Sequence, residues 1–274
     1  MAVPILEDAE FHVFQKLIFK EAGIDLNDSK RLLVQSRLLK QLLKYGFETY
    51  AQYLRLVQIN QAEKVEMVNL LTTNETYFFR EIEHFEFIQK ELLPTYPIKT
   101  KFRVWSAAAS VGAEAYSTAM LLDTTLSKSS WEIVGTDINS EVIKKARVGL
   151  YPESWVDKIP FHLRKMYCLK GKGESQGKFL IDRSLIPNMR FEQANLLELS
   201  NDLGKFDLIF LRNVLIYFDN VTKQKVVDGV IDHLVPGGYF FISHTENLNM
   251  INTNRLEQVK TAIYRKKDNS VEKE

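Results

Sequence analysis

Residues 104–122, VWSAAASVGAEAYSTAMLL, read as a strand, a loop of small residues and a helix. Alanines and serines around the single Gly112 let the backbone approach a ligand, and the helix that follows presents unsatisfied N–H groups at its start. The stretch is a poor G-x-G-x-x-G fingerprint, so by itself it fits a dinucleotide or another nucleoside-bearing cofactor. Working outward, short apolar runs alternate with helical segments: KFRVWS (101–106) then 112–127, WEIVGTD (131–137) then 139–149, FDLIFLRN (206–213) then 222–234, then GGYFFISH (237–244). That alternation predicts an α/β fold with a parallel, doubly wound sheet and helices on both faces. Residues 151–190 interrupt it with a polar insert carrying Gly171, Gly173 and Gly177, followed by a short strand, KFLID. The last stretch, RKKDNSVEKE (265–274), has no apolar periodicity and is expected to be disordered, with a tail drawn at 269–274.

Four strand ends in this half carry small or polar groups: Ala107–Ser110, Asp137, Asn195 after RFEQA, and Arg212–Asn213. In an open α/β sheet the carboxyl ends of the strands line the ligand crevice, so together they describe a cleft. Asp137 closes the second strand, where an acid holds a ribose diol in nucleoside-binding sheets; the competing reading makes it the N-cap of the helix beginning near Asn139.

Residues 1–95 read as a separate, almost wholly helical domain, with i, i+3, i+4 apolar spacing in 11–22, 29–45 and 61–71. Asp28 or Ser29 is the expected cap of the second helix and Gly46 its stop. At about 100° per residue, Lys30, Arg37, Lys40 and Lys44 share one face of that helix, and Leu32, Leu38, Leu39, Leu42 and Leu43 fall opposite. This basic face is either a solvated surface or a dock for something acidic. The formal charge of +1 over 274 residues argues against a wholly basic nucleic-acid binder. One cysteine, Cys168, allows no internal disulfide and fits a reducing compartment. MAVPILEDAE lacks the basic and apolar regions of a signal peptide, and no window is apolar enough for a membrane span, so a cytoplasmic protein is expected. His84, His233 and His244 are isolated in sequence, and no spacing resembles a metal site, so no metal is expected.

NETYFFRE (74–81), WSAAASVGAEAYS (105–117), GTDIN (135–139), NLL (195–197), FDLIFLRNVLIYFD (206–219) and GGYFFISHTENL (237–248) resemble, in order and across the chain, the CheR family of chemotaxis protein-glutamate O-methyltransferases. The resemblance implies an N-terminal all-helical receptor-docking domain (1–95) and a Rossmann-like S-adenosylmethionine-dependent methyltransferase domain (96–268), with 151–190 as a small β-subdomain. It implies methyl transfer to glutamate side chains of chemoreceptor cytoplasmic helices, with S-adenosylhomocysteine as the other product. Carried over by motif, Asn74, Thr76, Arg80, Glu114, Asp137, Asn195, Leu196, Arg212 and Asn213 would hold the cofactor, and Arg80 and Tyr217 would stand closest to the transferred methyl. Where the family usually reads GEEPYS, this chain reads Gly112-Ala113-Glu114-Ala115-Tyr116-Ser117; losing the first Glu and the Pro is expected to loosen the helix start and weaken cofactor affinity.

A glutamate with an unperturbed pKa near 4.3 is already ionised at neutral pH, so no general base is required. Arg80 offers a planar fork to orient that carboxylate, the competing reading being a surface ion pair with Glu81 or Glu83; Tyr217 donates a hydrogen bond, packs beside the sulfonium, or is a half-buried core aromatic. The basic face would complement glutamate-rich receptor helices, and the β-subdomain would take a receptor's C-terminal peptide on a strand edge. The alternative from another class is a signalling module that binds S-adenosylmethionine or S-adenosylhomocysteine with little or no turnover. RNA methylation is disfavoured by the charge balance, and nicotinamide chemistry by the sparse glycines. A monomer is the default.

Overall fold

The computed structural model describes residues 4–97, 101–127 and 129–268. Four helices open the chain: α1 (Asp8–Ala22), α2 (Arg31–Tyr45), α3 (Tyr50–Ile59) and α4 (Gln61–Leu71). They enclose their own core of Phe11, Phe14, Ile18, Leu38, Tyr53 and Met67, each of them nearly inaccessible to solvent. Burying a large apolar side chain contributes about 1.5–3 kcal/mol, so this cluster can hold the bundle together. A strap, residues 72–81, leads to α5 (Ile82–Phe87), which runs on through a π turn (Ile88–Leu92) into a last turn, α6 (Leu93–Thr95).

The second half alternates as expected: β1 (Phe102–Ser106), α7 (Ala113–Thr125), β2 (Trp131–Asp137), α8 (Ser140–Val148), then an insert of β3 (Leu150–Pro152), α9 (Phe161–Tyr167), β4 (Cys168–Lys170) and β5 (Lys178–Ile181). The main sheet resumes with β6 (Met189–Gln193), β7 (Phe206–Phe210), α10 (Asn220–Asp232), β8 (Leu234–Phe241), β9 (Leu256–Lys260) and β10 (Ile263–Lys266). Its seven strands run β6-β2-β1-β7-β8-β10-β9, parallel from β6 to β8 and antiparallel at β10 and β9. The insert forms a separate antiparallel sheet, β3-β5-β4. Alternation along each strand divides the core: Phe102, Val104 and Phe241 face one layer with α7 and α8, while Trp105, Ile209 and Phe240 face the other with α10. The strand order reverses between β1 and β7, and an open α/β sheet binds its ligand at such a point, beyond the carboxyl ends of the strands.

Four expectations are corrected. Neither Asp28 nor Ser29 caps α2, which instead continues a 3-10 turn over Asp28–Lys30 with no side-chain cap; Gly46 does end it, at φ 66°. Helix α3, unread in the sequence, is held by a capping box between Thr49 and Gln52. The apolar side of α2 is rotated: Val34, Leu38, Gln41 and Leu42 are buried, while Leu32 and Leu43 are 76% and 73% exposed. Arg265 and Lys266, assigned to a disordered stretch, lie in β10, because the buried Ile263 anchors a hairpin edge to β8; residues 269–274 fall outside the described residues.

Candidate active site

A cavity of about 320 Å³ opens at the β1/β7 switch point, and every cofactor and catalytic candidate named above borders it. Its other wall comes from the helical domain: Ala22, Ile24, Asp25, Leu26, Asn27, Lys30 and Leu33.

Arg212 is the hub of the site. Its side chain is 2% exposed and forks between two carboxylates, Nη2 to Glu81 Oε2 at 2.9 Å and Nη1 to Glu114 Oε2 at 3.0 Å. Nη2 also donates to the Arg80 carbonyl at 2.5 Å, fixing the backbone of the residue expected beside the substrate. Glu114, in the first turn of α7, accepts a further bond from Ser106 Oγ at 2.7 Å. Burial pushes the Glu114 carboxyl above its ordinary value, against the pull of Arg212 and Ser106. At Glu81 burial pushes the same way, but Arg212, the Ser243 hydroxyl and His84 outweigh it and hold that carboxyl below its ordinary value.

A second buried acid shapes the loop after β7. Glu246 Oε2 accepts the N–H groups of Asn213 and Ser243, both at 2.9 Å, and Oε1 accepts that of Leu215 at 2.8 Å. Burial raises its pKa while those backbone donors oppose the rise. Asn213 is thereby held at φ 58°, with Nδ2 donating to Ser243 Oγ at 2.8 Å. Positive φ at residues other than glycine is confined, among the described residues, to Phe79, Glu81, Ser110, Asn213 and Ala262, and all but Ala262 lie in the segments that build this site. Such backbone persists only where its surroundings over-determine it.

Asp137 resolves toward the cleft. The N-cap of α8 is Asn139, whose Oδ1 accepts from Glu141 and Val142, so Asp137 is not the cap. Its Oδ2 accepts Ser110 N–H and its Oδ1 accepts Asn139 N–H, both at 2.9 Å, leaving lone pairs on each oxygen. Burial raises its pKa against those donors. Between β1 and α7 the chain turns at Gly112, φ 89°, where a Cβ would stand 3.0 Å from Ala146 Cβ and 3.2 Å from Phe191. The helix starts at Ala113 with no side-chain cap, and Ala113 and Ala115 are packed to 0% and 1% exposure.

The remaining candidates differ in how free they are. Arg80 donates Nη1 to the Glu75 carbonyl at 3.0 Å and lies over the Tyr77 ring at 5.6 Å. Glu81, considered as its ion-pair partner, is taken by Arg212 instead. Tyr217 sits in a turn (Leu215–Tyr217) whose carbonyl accepts Asp25 N–H at 2.8 Å, and its ring packs against the helical core. Asn195 spends its side chain on structure, donating Nδ2 to Glu21 O at 2.8 Å and accepting Leu197 N–H at 3.0 Å. Asn74 bonds Thr72 Oγ1 at 3.2 Å and receives Ser110 Oγ on its carbonyl at 3.1 Å; Thr76 and Leu196 border the cavity beside it.

The basic face of α2 is less free than its wheel suggests. Arg37 donates to the Leu71 and Thr72 carbonyls and to Thr73 Oγ1, securing the junction of α4 and the strap. Lys40 pairs with Glu66 at 3.7 Å and Lys44 with Glu63 at 3.1 Å, whereas Lys30 borders the cavity. His84 and His244, isolated in sequence, meet in space beside Glu81. Burial and the neighbouring Arg212 hold the His84 pKa down to about 3. Sequence reading considered Glu81 only as a surface partner of Arg80 and assigned no role to Ser106, Ser243 or Glu246. The acids directly after Arg80 and in HTENL were the available signals, but Arg212 lies far from Glu81 in sequence, and Asn213 lies 33 residues from Glu246.

Family profiles agree with the arrangement. The profile described as CheR methyltransferase, SAM binding domain, matches residues 74–265, and that described as CheR methyltransferase, all-alpha domain, matches residues 9–72. A chemotaxis protein methyltransferase of Salmonella typhimurium is 37% identical over 249 residues, covering 89% of this chain and 85% of that one. Its Escherichia coli counterpart is 37% identical, covering 89% and 86%. One from Borreliella burgdorferi is 32% identical over 264 residues, covering 92% of each.

Proposed function

The chain belongs to the CheR methyltransferase family and is an S-adenosylmethionine-dependent methyltransferase, and from that premise we propose that it esterifies glutamate side chains on the cytoplasmic helices of chemoreceptors. The observation that carries this reading is the cavity at the switch point, which gathers Arg80, Glu114, Asp137, Arg212 and Tyr217 from separate parts of the chain.

The donor set fits the cofactor. Asp137 keeps a lone pair on each carboxylate oxygen for a vicinal diol, and Ile138 and Leu196 supply apolar walls beside it. When bound, S-adenosylmethionine supplies a methyl group on a cationic sulfur. The residues assigned to hold it are Asn74, Thr76, Arg80, Glu114, Asp137, Asn195, Leu196, Arg212 and Asn213; Asn195 acts through the wall it braces, since its side chain is already spent. Arg80 orients the substrate carboxylate, its main chain held by Arg212 and its guanidinium tied by one bond to Glu75. Transfer of that methyl to an ionised carboxylate oxygen would leave a neutral thioether and require no proton transfer, so no general base is asked of the chain. What remains for the protein is alignment and removal of water from the nucleophile.

Docking rests on Lys30 and on Lys40 and Lys44, whose side chains stay exposed in their pairs, with the exposed Leu43 three positions from Lys40; Arg37 serves the fold. No described helix is long and apolar enough to cross a membrane, and a cytoplasmic monomer acting on the receptor's inner end is the accompanying reading. The edges of β3 and β4 offer strand addition to a receptor's C-terminal peptide.

The test is transfer of labelled methyl to a receptor cytoplasmic fragment, read as base-labile ester. Ester that disappears in Arg80→Ala and stays low in Arg80→Lys, which keeps charge but loses the fork, supports the assignment. Wild-type turnover in Arg80→Ala overturns it.

A further inference from the structure

Outside the cavity, the described residues contain a cluster with the chemistry of a metal centre. Glu81 at the start of α5, His84 one turn on, and His244 after β8 bring a carboxylate oxygen and two ring nitrogens within 4.8 Å of one another. The imidazoles meet edge to face, centroids 4.7 Å apart at 71°. His84 is fully buried, and neither of its ring nitrogens has a hydrogen-bond partner; Nδ1 stands 3.5 Å from Glu81 Oε2. A buried polar group left idle in this way calls for an explanation, and a bound ion is one of the accepted ones. His244 is exposed, so the cluster opens to solvent on that side.

We propose that Glu81, His84 and His244 form a binding site for a divalent transition ion of the zinc class, and that occupancy of it draws Glu81 away from Arg212. Two imidazoles and one carboxylate form a donor set of borderline softness that suits zinc and its neighbours and not magnesium or calcium, which take oxygen. Zinc bonds to nitrogen and oxygen are about 2.0–2.2 Å, which sets tetrahedral ligand atoms roughly 3.3–3.6 Å apart; His84 Nδ1 and Glu81 Oε2, at 3.5 Å, already meet that spacing, and the exposed His244 is the ligand that closes in. A dication held there competes with Arg212 Nη2, 2.9 Å away, for the charge of Glu81 Oε2, which also accepts His244 N–H at 3.3 Å. Arg212 also holds Glu114 and the Arg80 carbonyl, so its release disturbs the cofactor cavity. The metal is therefore an inhibitor, and the coupling is reciprocal: each ligand weakens the other by the same factor. The coupling rests on the cofactor reading given above; the metal site does not.

The experiment is calorimetric titration of the full-length protein, stripped with chelator, with Zn²⁺, alongside His244→Ala. His244 is exposed and outside the cavity, so this variant keeps the basal methylation rate. Wild type should bind one equivalent of zinc that magnesium does not displace, and His244→Ala should bind it at least about tenfold more weakly. S-adenosylhomocysteine should bind more weakly to zinc-loaded than to metal-free wild type, with no such difference in His244→Ala. Equal zinc affinity in the two proteins overturns the site. Loss of the site in the variant, with product affinity indifferent to zinc in wild type, overturns the coupling. Failure of metal-free protein to bind S-adenosylhomocysteine overturns the cofactor reading, while the zinc comparison still judges the site.

Discussion

Replacing Arg212 by methionine removes one cation from between two acids and leaves a side chain of similar reach. Glu81 and Glu114 are 14% and 13% exposed, and their guanidinium contacts are 2.9 Å and 3.0 Å, so both sit in the buried-pair regime. Breaking one buried pair costs about 3–5 kcal/mol, chiefly because a carboxylate is left without its counter-ion. The variant should therefore lose at least that much at neutral pH, or roughly 10 °C of melting temperature at 2–4 °C per kcal/mol. The pH dependence separates this cause from lost packing. In wild type the Glu81 carboxyl is held below its ordinary value, mostly by Arg212 acting against burial, so its contribution is present above the unfolded value near 4.3 and lost as pH falls through the folded one. Glu114 is already raised by burial, and without Arg212 both carboxyls rise. The variant's penalty then shrinks on acidification, as each carboxyl takes a proton and needs no counter-ion. Urea unfolding at about pH 7 and about pH 5 measures the difference between the two proteins. A difference under about 1 kcal/mol at pH 7, or one of equal size at both pH values, refutes the electrostatic account.

Asp137→Asn keeps an oxygen for one of the two backbone donors but loses the charge offered to a diol; S-adenosylhomocysteine binding by calorimetry should weaken about 10- to 100-fold, the worth of a charge-assisted bond, with little change in melting temperature. Glu246→Ala orphans the N–H groups of Asn213, Ser243 and Leu215, at about 1–3 kcal/mol for each one that water does not reach; unfolding should shift accordingly, and hydrogen exchange should rise first in residues 212–218. Asp219 caps α10 through Thr222 N–H, which lowers its pKa, so its contribution is present above about 3.9 and lost as pH falls through the lowered folded value. Asp219→Ala should cost about 1 kcal/mol near neutrality, while Asp219→Asn should cost less and show no loss below pH ~4, as read by unfolding across that range.

Much of this fold was legible because it repeats. The short apolar runs of β1, β2 and β7 and the small-residue loop before α7 are local, and Asp137 stood out as a polar stop on an apolar strand. Helix α3 was equally local: Tyr50, Tyr53, Leu54 and Val57 keep i, i+3, i+4, i+7 spacing, behind a Thr49–Gln52 capping box. The strand β10 was hidden by charge; Lys266 reaches two main-chain carbonyls, of Ile231 and Leu234, and so tolerates a place that composition denies it. The wiring of the site could not be read at all. Glu81 with Arg212, Glu246 with Asn213 and His84 with His244 join positions that no periodicity relates, and only the packed chain determines which acid meets which cation.

The wall of the cavity supplied by residues 22–33 bears on how such proteins can be retargeted. A helical domain that merely recognised a receptor could be exchanged between relatives like a cartridge. On the reading proposed above the seam is shared with the chemistry; it is sewn by Asn195 to the Glu21 carbonyl and by Asp25 N–H to the Tyr217 carbonyl. A chimera built at the strap would inherit half of its cofactor chamber from each parent. Its affinity for the cofactor, and not just its choice of receptor, would report how well the parents match, and grafts of the solvent face of α2 alone are the safer route to new specificity.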